Sequence, residues 1–158
     1  MLVTLRIEAA QGRVWRALTV DRSRWWPEMV FDAVVGASLV ETWVEDGEVL
    51  QASGTITTVD APRLLAFEWS EPAWQGNLTV RVRLAPVTQG TEVSITEEGF
   101  ASIQAQSSLA SEHEEGWLYH LERLRDASIA PEGGWGGARR WCAGGHSTSP
   151  RSLWQSQS

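Results

Sequence analysis

Lysine is missing from this sequence: all 13 basic side chains among its 158 residues are arginine. Catalytic Schiff bases form on lysine and the P-loop holds phosphate with one, so both kinds of chemistry are excluded. A single cysteine, Cys142, leaves no partner for a disulfide within the chain. No apolar run approaches about 18 residues, and the first residues lack the pattern of a secretory signal. These absences predict a soluble, cytoplasmic protein.

Positive charge is scarce in most of the chain. Residues 1–128 carry 10 arginines against 19 acidic residues, whereas residues 129–158 carry three arginines and one glutamate. An acidic surface repels phosphate groups, which argues against a nucleic-acid partner and against docking on an anionic membrane.

The two regions also differ in pattern. Residues 129–158 are rich in glycine and serine and show no periodicity, which is typical of a disordered tail. Nothing in the sequence explains the three tryptophans there. We therefore expect one folded domain over residues 1–128, followed by the tail.

Within the domain, the apolar residues alternate with a period of two over most of the length and with helical spacing near both ends. The pattern predicts a first strand at 2–8, short helices at 12–19 and 21–27, and a long helix at 101–127. Six further strands are predicted at 28–36, 38–45, 48–60, 63–70, 77–86 and 91–99. The fold class is therefore α+β, with a seven-stranded, curved antiparallel sheet wrapped around a long C-terminal helix.

The apolar face of the long helix includes two histidines. At 100° per residue, seven residues fall within an arc of about 140°. They are Leu109, His113, Gly116, Trp117, His120, Leu121 and Leu124. A metal site, a catalytic pair or the wall of a pocket would each account for the two histidines. Gly116 would let a sheet residue or a ligand approach the helix backbone.

The spacing of the histidines does not suit a metal. His113 and His120 are seven residues apart, which is about 10.5 Å along a helix. Trp117 stands where an HExxH motif would need its second ligand. We expect neither a metal nor another cofactor.

A catalytic pair would need a carboxylate near a histidine. Glu97 has the strand parity of Val93 and Ile95, and Glu41 has that of Trp43, so regular alternation turns both carboxylates inward. A buried glutamate needs a partner, and either His113 or His120 could supply it. Alternatively, β-bulges turn the glutamates to solvent, or the histidines are hydrogen-bonded core residues.

Aromatic residues are abundant, with seven tryptophans before residue 129. Broad rings with polar tips suit a pocket for a flat apolar or aromatic ligand, although most of them would serve as core in any fold. The residues predicted to line such a pocket are Trp15, Trp26, Phe31, Trp43, Phe67, Trp69, His113, Gly116, Trp117 and His120.

Several segments in this order resemble the START/Bet v 1-like (SRPBCC) superfamily, in its branch related to the activator of the heat-shock protein 90 ATPase (AHSA). They are "RVWRALT" with "RWW" (13–26), Gly36, "GTITTVDAPRLLAFEW" (54–69), "GTEVSITEEGF" (90–100) and "HEEGWLYHLERL" (113–124). The resemblance implies a helix-grip fold with an apolar cavity between the sheet and the last helix. Ala37 departs from the family pattern, which often has glycine there, and Glu97 stands where histidine is common.

The resemblance implies several functions, because superfamily members range from lipid carriers to polyketide cyclases. We expect binding of a small hydrophobic or aromatic molecule by a non-catalytic carrier or sensor. The alternatives are a cyclase-like enzyme that uses Glu97 with His113 or His120, and a chaperone-associated interaction protein of the stress response. The free edges of the sheet would also allow two chains to pair as a homodimer.

Overall fold

The computed structural model describes residues 1–103 and 108–131. The elements are β1 (Leu2–Ile7), α1 (Gln11–Leu18), a 3₁₀ turn (Arg22–Arg24), β2 (Met29–Val30), β3 (Ser38–Glu45), β4 (Glu48–Asp60), β5 (Leu64–Ser70), β6 (Leu78–Val87), β7 (Gly90–Glu98) and α2 (Leu109–Ile129). All strand pairs are antiparallel, in the order β1-β7-β6-β5-β4-β3-β2. The predicted α+β class, with a seven-stranded curved sheet and a long C-terminal helix, is confirmed.

The inner face of the sheet follows the predicted alternation. On β6, the buried side chains are Leu78, Val80, Val82 and Leu84, whereas Arg83 between the last two is exposed. Burying each such aliphatic side chain contributes about 1.5–3 kcal/mol, so this alternation fixes which face of β6 carries the core.

Helix α2 covers that inner face with the predicted side. Trp117 contacts Trp69 on β5, with ring centroids 5.7 Å apart. The buried helix residues are His113, Gly116, Trp117, His120, Leu121, Leu124 and Ser128. Ser128 is the addition to the predicted face, and it is accommodated because its Oγ donates to the Leu124 carbonyl at 2.7 Å.

The region between α1 and β3 differs from the prediction. The strand predicted at 28–36 is reduced to Met29–Val30, and the helix predicted at 21–27 is a 3₁₀ turn. After Val30 the chain turns, with the Val34 amide donating to Asp32 and Gly36 adopting a φ of +88° that favours glycine. This turn ends the pairing of β2 with β3.

The long helix begins later than predicted. The amides of Ser102 and Ile103 donate to the Gly99 carbonyl in a turn, and α2 starts at Leu109. At its other end the helix continues to Ile129, one residue beyond the predicted domain boundary. Most of the predicted tail, residues 132–158, lies outside the described residues. Among the described residues, no helix is long and apolar enough to cross a membrane.

Strands β4 and β5 approach each other closely at Gly54. A Cβ built at this position would lie 1.8 Å from the carbonyl oxygen of Glu68 on β5, so only glycine fits without moving the strands. The register between β4 and β5 then shifts between Ile56 and Thr58. A local irregularity of this kind bends a strand, which favours the curvature that the sheet needs to enclose α2.

Candidate functional site

Residues 22–31, here called the 22–31 segment, lie between α1 and β3 and are held by arginine side chains. The buried Arg22 donates from Nε to the Met29 carbonyl at 2.5 Å and from Nη1 to the Phe31 carbonyl at 2.7 Å. Its guanidinium also lies 4.4 Å from the centre of the Phe31 ring. Burial lowers the pKa of Arg22, and the charge of Asp32 opposes that shift.

A second arginine ties this segment to α2. Arg123 donates from Nε and Nη2 to the Trp25 carbonyl at 3.0 and 2.7 Å. The Trp25 indole in turn donates to the Ala17 carbonyl on α1 at 2.7 Å. The 22–31 segment is therefore held against both helices, although only half of its residues lie in the 3₁₀ turn or in β2.

This segment, the sheet and α2 enclose an apolar cavity of about 20 Å³, which is room for about one water molecule. Its wall is formed by Leu18, Trp25, Trp26, Met29, Phe31, Leu65, Phe67, Val82, Ile95, Trp117, His120, Leu121 and Leu124. No wall residue carries a full charge at neutral pH, since His120 is held in its neutral form.

His120 is the polar group of the wall. It is 2% exposed and stacks on Trp26, with ring centroids 3.9 Å apart and planes at 26°. Among the described residues, neither His120 ring nitrogen has a hydrogen-bond partner, and neither does Nε1 of Trp26. Burial, reinforced by the charge of Arg123, lowers the pKa of His120 to about 3. The imidazole is therefore neutral and holds unused hydrogen-bonding capacity.

The low pKa of His120 makes stability depend on pH. Its ordinary pKa is 6.5, so between pH 6.5 and about 3 the unfolded chain binds a proton that the folded chain does not. The free energy of unfolding is expected to fall as pH falls through this window, by at most about 1.4 kcal/mol per pH unit from this residue. NMR titration of the ring and urea unfolding at several pH values test this. His120→Phe should flatten the slope, and identical slopes for both proteins would contradict the assignment.

A second polar cluster surrounds Glu97 on β7, whose side chain is fully buried. Its Oε2 accepts from Trp69 Nε1 at 2.8 Å. Its Oε1 accepts from Trp117 Nε1 at 3.1 Å and lies 2.7 Å from His113 Nδ1. His113 also packs against the rings of Trp74 and Phe100. Both carboxylate oxygens are thus engaged with side chains of the core.

Trp117 contacts both the cavity wall and the Glu97 cluster. Its Nε1 donates to Glu97, while its ring meets Trp26 edge-on at 5.9 Å and His120 at 5.8 Å. A change in the position of this ring would therefore affect the cavity and the Glu97 cluster together.

The structure brings five of the ten predicted pocket residues to the cavity wall: Trp26, Phe31, Phe67, Trp117 and His120. The others lie elsewhere. Trp15 is partly exposed on α1, Trp43 is buried on β3, and Gly116 is buried within α2 outside the wall. Trp69 and His113 contact Glu97 instead. Glu41, the other glutamate predicted to turn inward, is fully buried.

Eight wall residues were not selected from the sequence. Leu65, Val82 and Ile95 have inward strand parity, and Leu121 and Leu124 lie on the predicted helix face. These five residues would have been predicted if inward-facing aliphatic residues had been selected as pocket residues together with the aromatic ones. Leu18, on the buried side of α1, would also have been found in this way. Met29 has the parity of Phe31 on the predicted strand and would also have been found in this way, whereas Trp25 follows the 3₁₀ turn, where no periodicity marks the inward side.

Metal-ligating side chains are dispersed in the part of the chain that the structure describes. Within residues 1–103 and 108–131, no three His, Cys, Asp or Glu side chains are grouped in a way that could hold a metal ion. The side chains that line the cavity offer apolar contact and one neutral imidazole.

Several solved structures share this architecture. Among solved structures, the chain is similar to protein MLL2253 from Mesorhizobium loti, with a TM-score of 0.66 and 23% identity over 80% of this chain and 94% of that one. The Aha1 dimer from Colwellia psychrerythraea has a TM-score of 0.62 and 18% identity, over 80% and 93%. Ara h 8.0201 has a TM-score of 0.65 and 13% identity, over 82% and 96%.

These TM-scores establish a shared fold. No curated protein matches the sequence. A family model does match it, and its match covers residues 8–128, which include every strand from β2 to β7, both helices almost entirely, the cavity and the Glu97 cluster. The chain belongs to the family described as Activator of Hsp90 ATPase homolog 1-like protein.

Proposed function

We propose that this protein binds a small hydrophobic or aromatic molecule in the cavity between the sheet and α2, as a non-catalytic carrier or sensor. The observation that carries the proposal is the wall itself. Twelve of its 13 residues are apolar or aromatic, and the thirteenth, His120, is a buried neutral imidazole without a hydrogen-bond partner among the described residues. Buried polar groups are normally hydrogen-bonded. A ligand that hydrogen-bonds to His120 would therefore remove the free-energy cost of burying this side chain without a partner.

The size of the cavity limits how the proposed ligand could enter. At about 20 Å³ it is far below the roughly 300 Å³ of typical ligand pockets. Uptake of any organic molecule therefore requires side chains of the wall to move. The 22–31 segment contributes Trp25, Trp26, Met29 and Phe31 to the wall, and of these only Met29 lies in a strand. We expect the wall to open through rotation of side chains from this segment, because Arg22 and Arg123 hold its backbone.

The catalytic alternative has less support from the geometry. Glu97 and His113 are not part of the cavity wall, and both oxygens of Glu97 already accept hydrogen bonds or contact His113. His120 lines the cavity, but its depressed pKa makes it a weak base near neutral pH. A cyclase-like reaction would need a general base that faces the ligand and has a pKa close to the working pH, so that it can take up a proton there.

Two partner proposals accompany the ligand. The family description refers to an activator of the Hsp90 ATPase, and one similar structure is a dimer. A chaperone contact and a homodimer are therefore retained as proposals for this chain. Native mass spectrometry of the freshly purified protein reports its oligomeric state and any small molecule that remains bound.

A matched pair of variants tests the ligand proposal. Leu65 and Leu84 are both buried on the inner face of the sheet, but only Leu65 lines the cavity. Leu65→Phe should fill the space and weaken the binding of indole, used as a small aromatic probe, at least tenfold by calorimetry. Leu84→Phe adds the same volume elsewhere in the core, with a comparable overpacking cost of about 1–3 kcal/mol, and should leave indole affinity within twofold.

Circular dichroism should show both variants folded at the temperature of measurement. Absence of a co-purified molecule together with no indole binding by the wild-type protein would remove the proposal. Equal weakening by Leu65→Phe and Leu84→Phe would show that the probe binds outside this cavity.

A further inference from the structure

The two edges of the sheet differ in whether their backbone groups are hydrogen-bonded. At the β2 edge, the Thr42 amide donates to the Glu28 carbonyl, so the backbone groups of Met29 point away from β3. The Met29 amide nevertheless donates to the Trp26 carbonyl at 3.3 Å, and the Met29 carbonyl accepts from Nε of the buried Arg22 at 2.5 Å. A strand edge whose polar groups are already bonded is protected against pairing with another chain.

The β1 edge faces outward with its own set of backbone groups. Met1 and Glu97 exchange both backbone hydrogen bonds: the N-terminus of Met1 donates to the Glu97 carbonyl at 3.1 Å, and the Glu97 amide donates to the Met1 carbonyl at 3.0 Å. Bonded residues alternate along an antiparallel pair, and the register of β1 with β7 is regular. The N–H and C=O groups of Leu2, Thr4 and Arg6 therefore point away from β7.

These outward groups of β1 are not covered. Within residues 1–103 and 108–131, no other element forms a backbone hydrogen bond with them, and no side chain takes the place that Arg22 has at β2. The strand also lacks a proline and a bulge, which commonly protect an edge. Its one charged side chain, that of Arg6, donates instead to the Thr88 carbonyl in the turn between β6 and β7. The backbone of β1 is therefore available to a further strand.

We infer that β1 is the interface of a homodimer, in which it pairs antiparallel with β1 of a second copy across a two-fold axis beside Thr4. This inference rests on the homodimer proposed above and gives it a surface. In this register Thr4 lies opposite its own copy, and Leu2 lies opposite Arg6. Val3 then lies opposite Leu5, so the pairing uses the whole strand. Each pair of outward residues exchanges two hydrogen bonds, and the two seven-stranded sheets become one continuous sheet.

The strand is complementary to itself, which favours a second copy over an unrelated peptide. Threonine opposite threonine is a favourable cross-strand pair, and the aliphatic stem of Arg6 can pack on Leu2, which is 61% exposed. On the inner face, the half-buried Leu5 gains Val3 of the second copy as a neighbour. Residues 1–128 carry 10 arginines against 19 acidic residues, so two copies repel each other in general, but β1 itself contains no acidic residue.

Charge substitutions at Thr4 test the position of the axis, and its exposed side chain should tolerate them. Thr4→Lys places like charges opposite each other and should raise the dimer dissociation constant of the full chain about tenfold or more, measured by sedimentation velocity. Thr4→Glu should act likewise. An equimolar mixture of the two variants should dimerise at least as tightly as the wild type, because lysine then faces glutamate.

Ser94→Lys is the matched control. Ser94 lies opposite Thr4 on β7, so the added charges stay one strand further from the axis. Screening should then keep the dissociation constant within about threefold of the wild-type value. Amide hydrogen exchange gives an independent readout. The Thr4 and Arg6 amides should be protected only at concentrations where the dimer forms, whereas those of Val3 and Leu5, which bond to β7, should be protected at every concentration.

Two results would count against the interface in different ways. A wild-type dimer that Thr4→Lys weakens no more than Ser94→Lys, or that the mixture of variants does not restore, would overturn this inference and leave a homodimer through another surface. A wild-type protein that stays monomeric at about 1 mM, where even a weak interface associates, would overturn the homodimer proposal and this inference together. Neither result bears on the ligand proposal.

Discussion

Replacing Trp117 with alanine is expected to lower the free energy of unfolding by about 3–5 kcal/mol, the usual cost of truncating a large buried aromatic side chain. The ring is 2% exposed and contacts Trp26, Trp69 and His120. Its loss would leave a hole between α2 and the sheet and would remove one donor from the Glu97 carboxylate. Urea unfolding followed by circular dichroism measures the change.

Two further variants separate the ring from its N–H group. Trp117→Phe keeps most of the packing and removes the donor to Glu97, and should cost about 1–3 kcal/mol. Leu118→Ala changes the next residue, which is 38% exposed on the outer side of α2, and should cost much less than either. A Trp117→Ala effect no larger than that of Leu118→Ala would show that the ring does not hold α2 to the sheet.

Replacing Glu97 with leucine is expected to cost about 3–5 kcal/mol, comparable with breaking a buried charged pair. The substitution leaves the indole N–H groups of Trp69 and Trp117 and the Nδ1 of His113 without their shared acceptor. Leucine has a similar size and is apolar, so packing alone predicts little change. The loss in free energy of unfolding therefore measures the contribution of the hydrogen bonds and not that of the side-chain volume.

Glu98→Leu is the matched control, because Glu98 is adjacent on β7 and its side chain is 68% exposed. It contacts Arg81 at 3.4 Å on the surface, where such a pair contributes about 0–1 kcal/mol. Thermal and urea unfolding of both variants at pH 7 would give the comparison. A neutral or stabilising Glu97→Leu would mean that the cluster selects one arrangement of the core without adding stability to it.

The sheet and the last helix were predictable because each buries one face along a regular element. On β6 the alternation of Leu78 to Leu84 marks the inner face, and on α2 the arc from His113 to Leu124 marks the covered side. The same parity placed Glu97 inward. In each case the apolar residues recur with the period of the element, so the hydrophobic periodicity identifies the face that is buried in the core.

The contacts that anchor the 22–31 segment could not be predicted in this way. Arg22 reads as a surface cation in the sequence, yet its guanidinium is buried and binds the carbonyls of Met29 and Phe31. These contacts, and the one between Arg123 and Trp25, join residues whose proximity is set by the tertiary structure. For the same reason, the sequence could not show which histidine contacts Glu97. Strand register and helix position decide that His113 reaches Glu97 and that His120 lies in the cavity wall.

The order of strands in the sheet has a consequence for how the protein is made. Every pairing joins consecutive strands except that of β1 with β7, whose residues are roughly 90 positions apart in the chain. At about 5–20 residues per second, a ribosome needs several seconds after completing β1 to supply its partner.

During that interval the alternating apolar residues of β1 have no neighbouring strand, which leaves them open to mispairing with other chains. Closing a loop of this length also costs more entropy than forming the hairpins between β3 and β7. We therefore expect the first strand synthesised to be the last to join the sheet, so that chain order, rather than the stability of the finished domain, governs its exposure to misassembly.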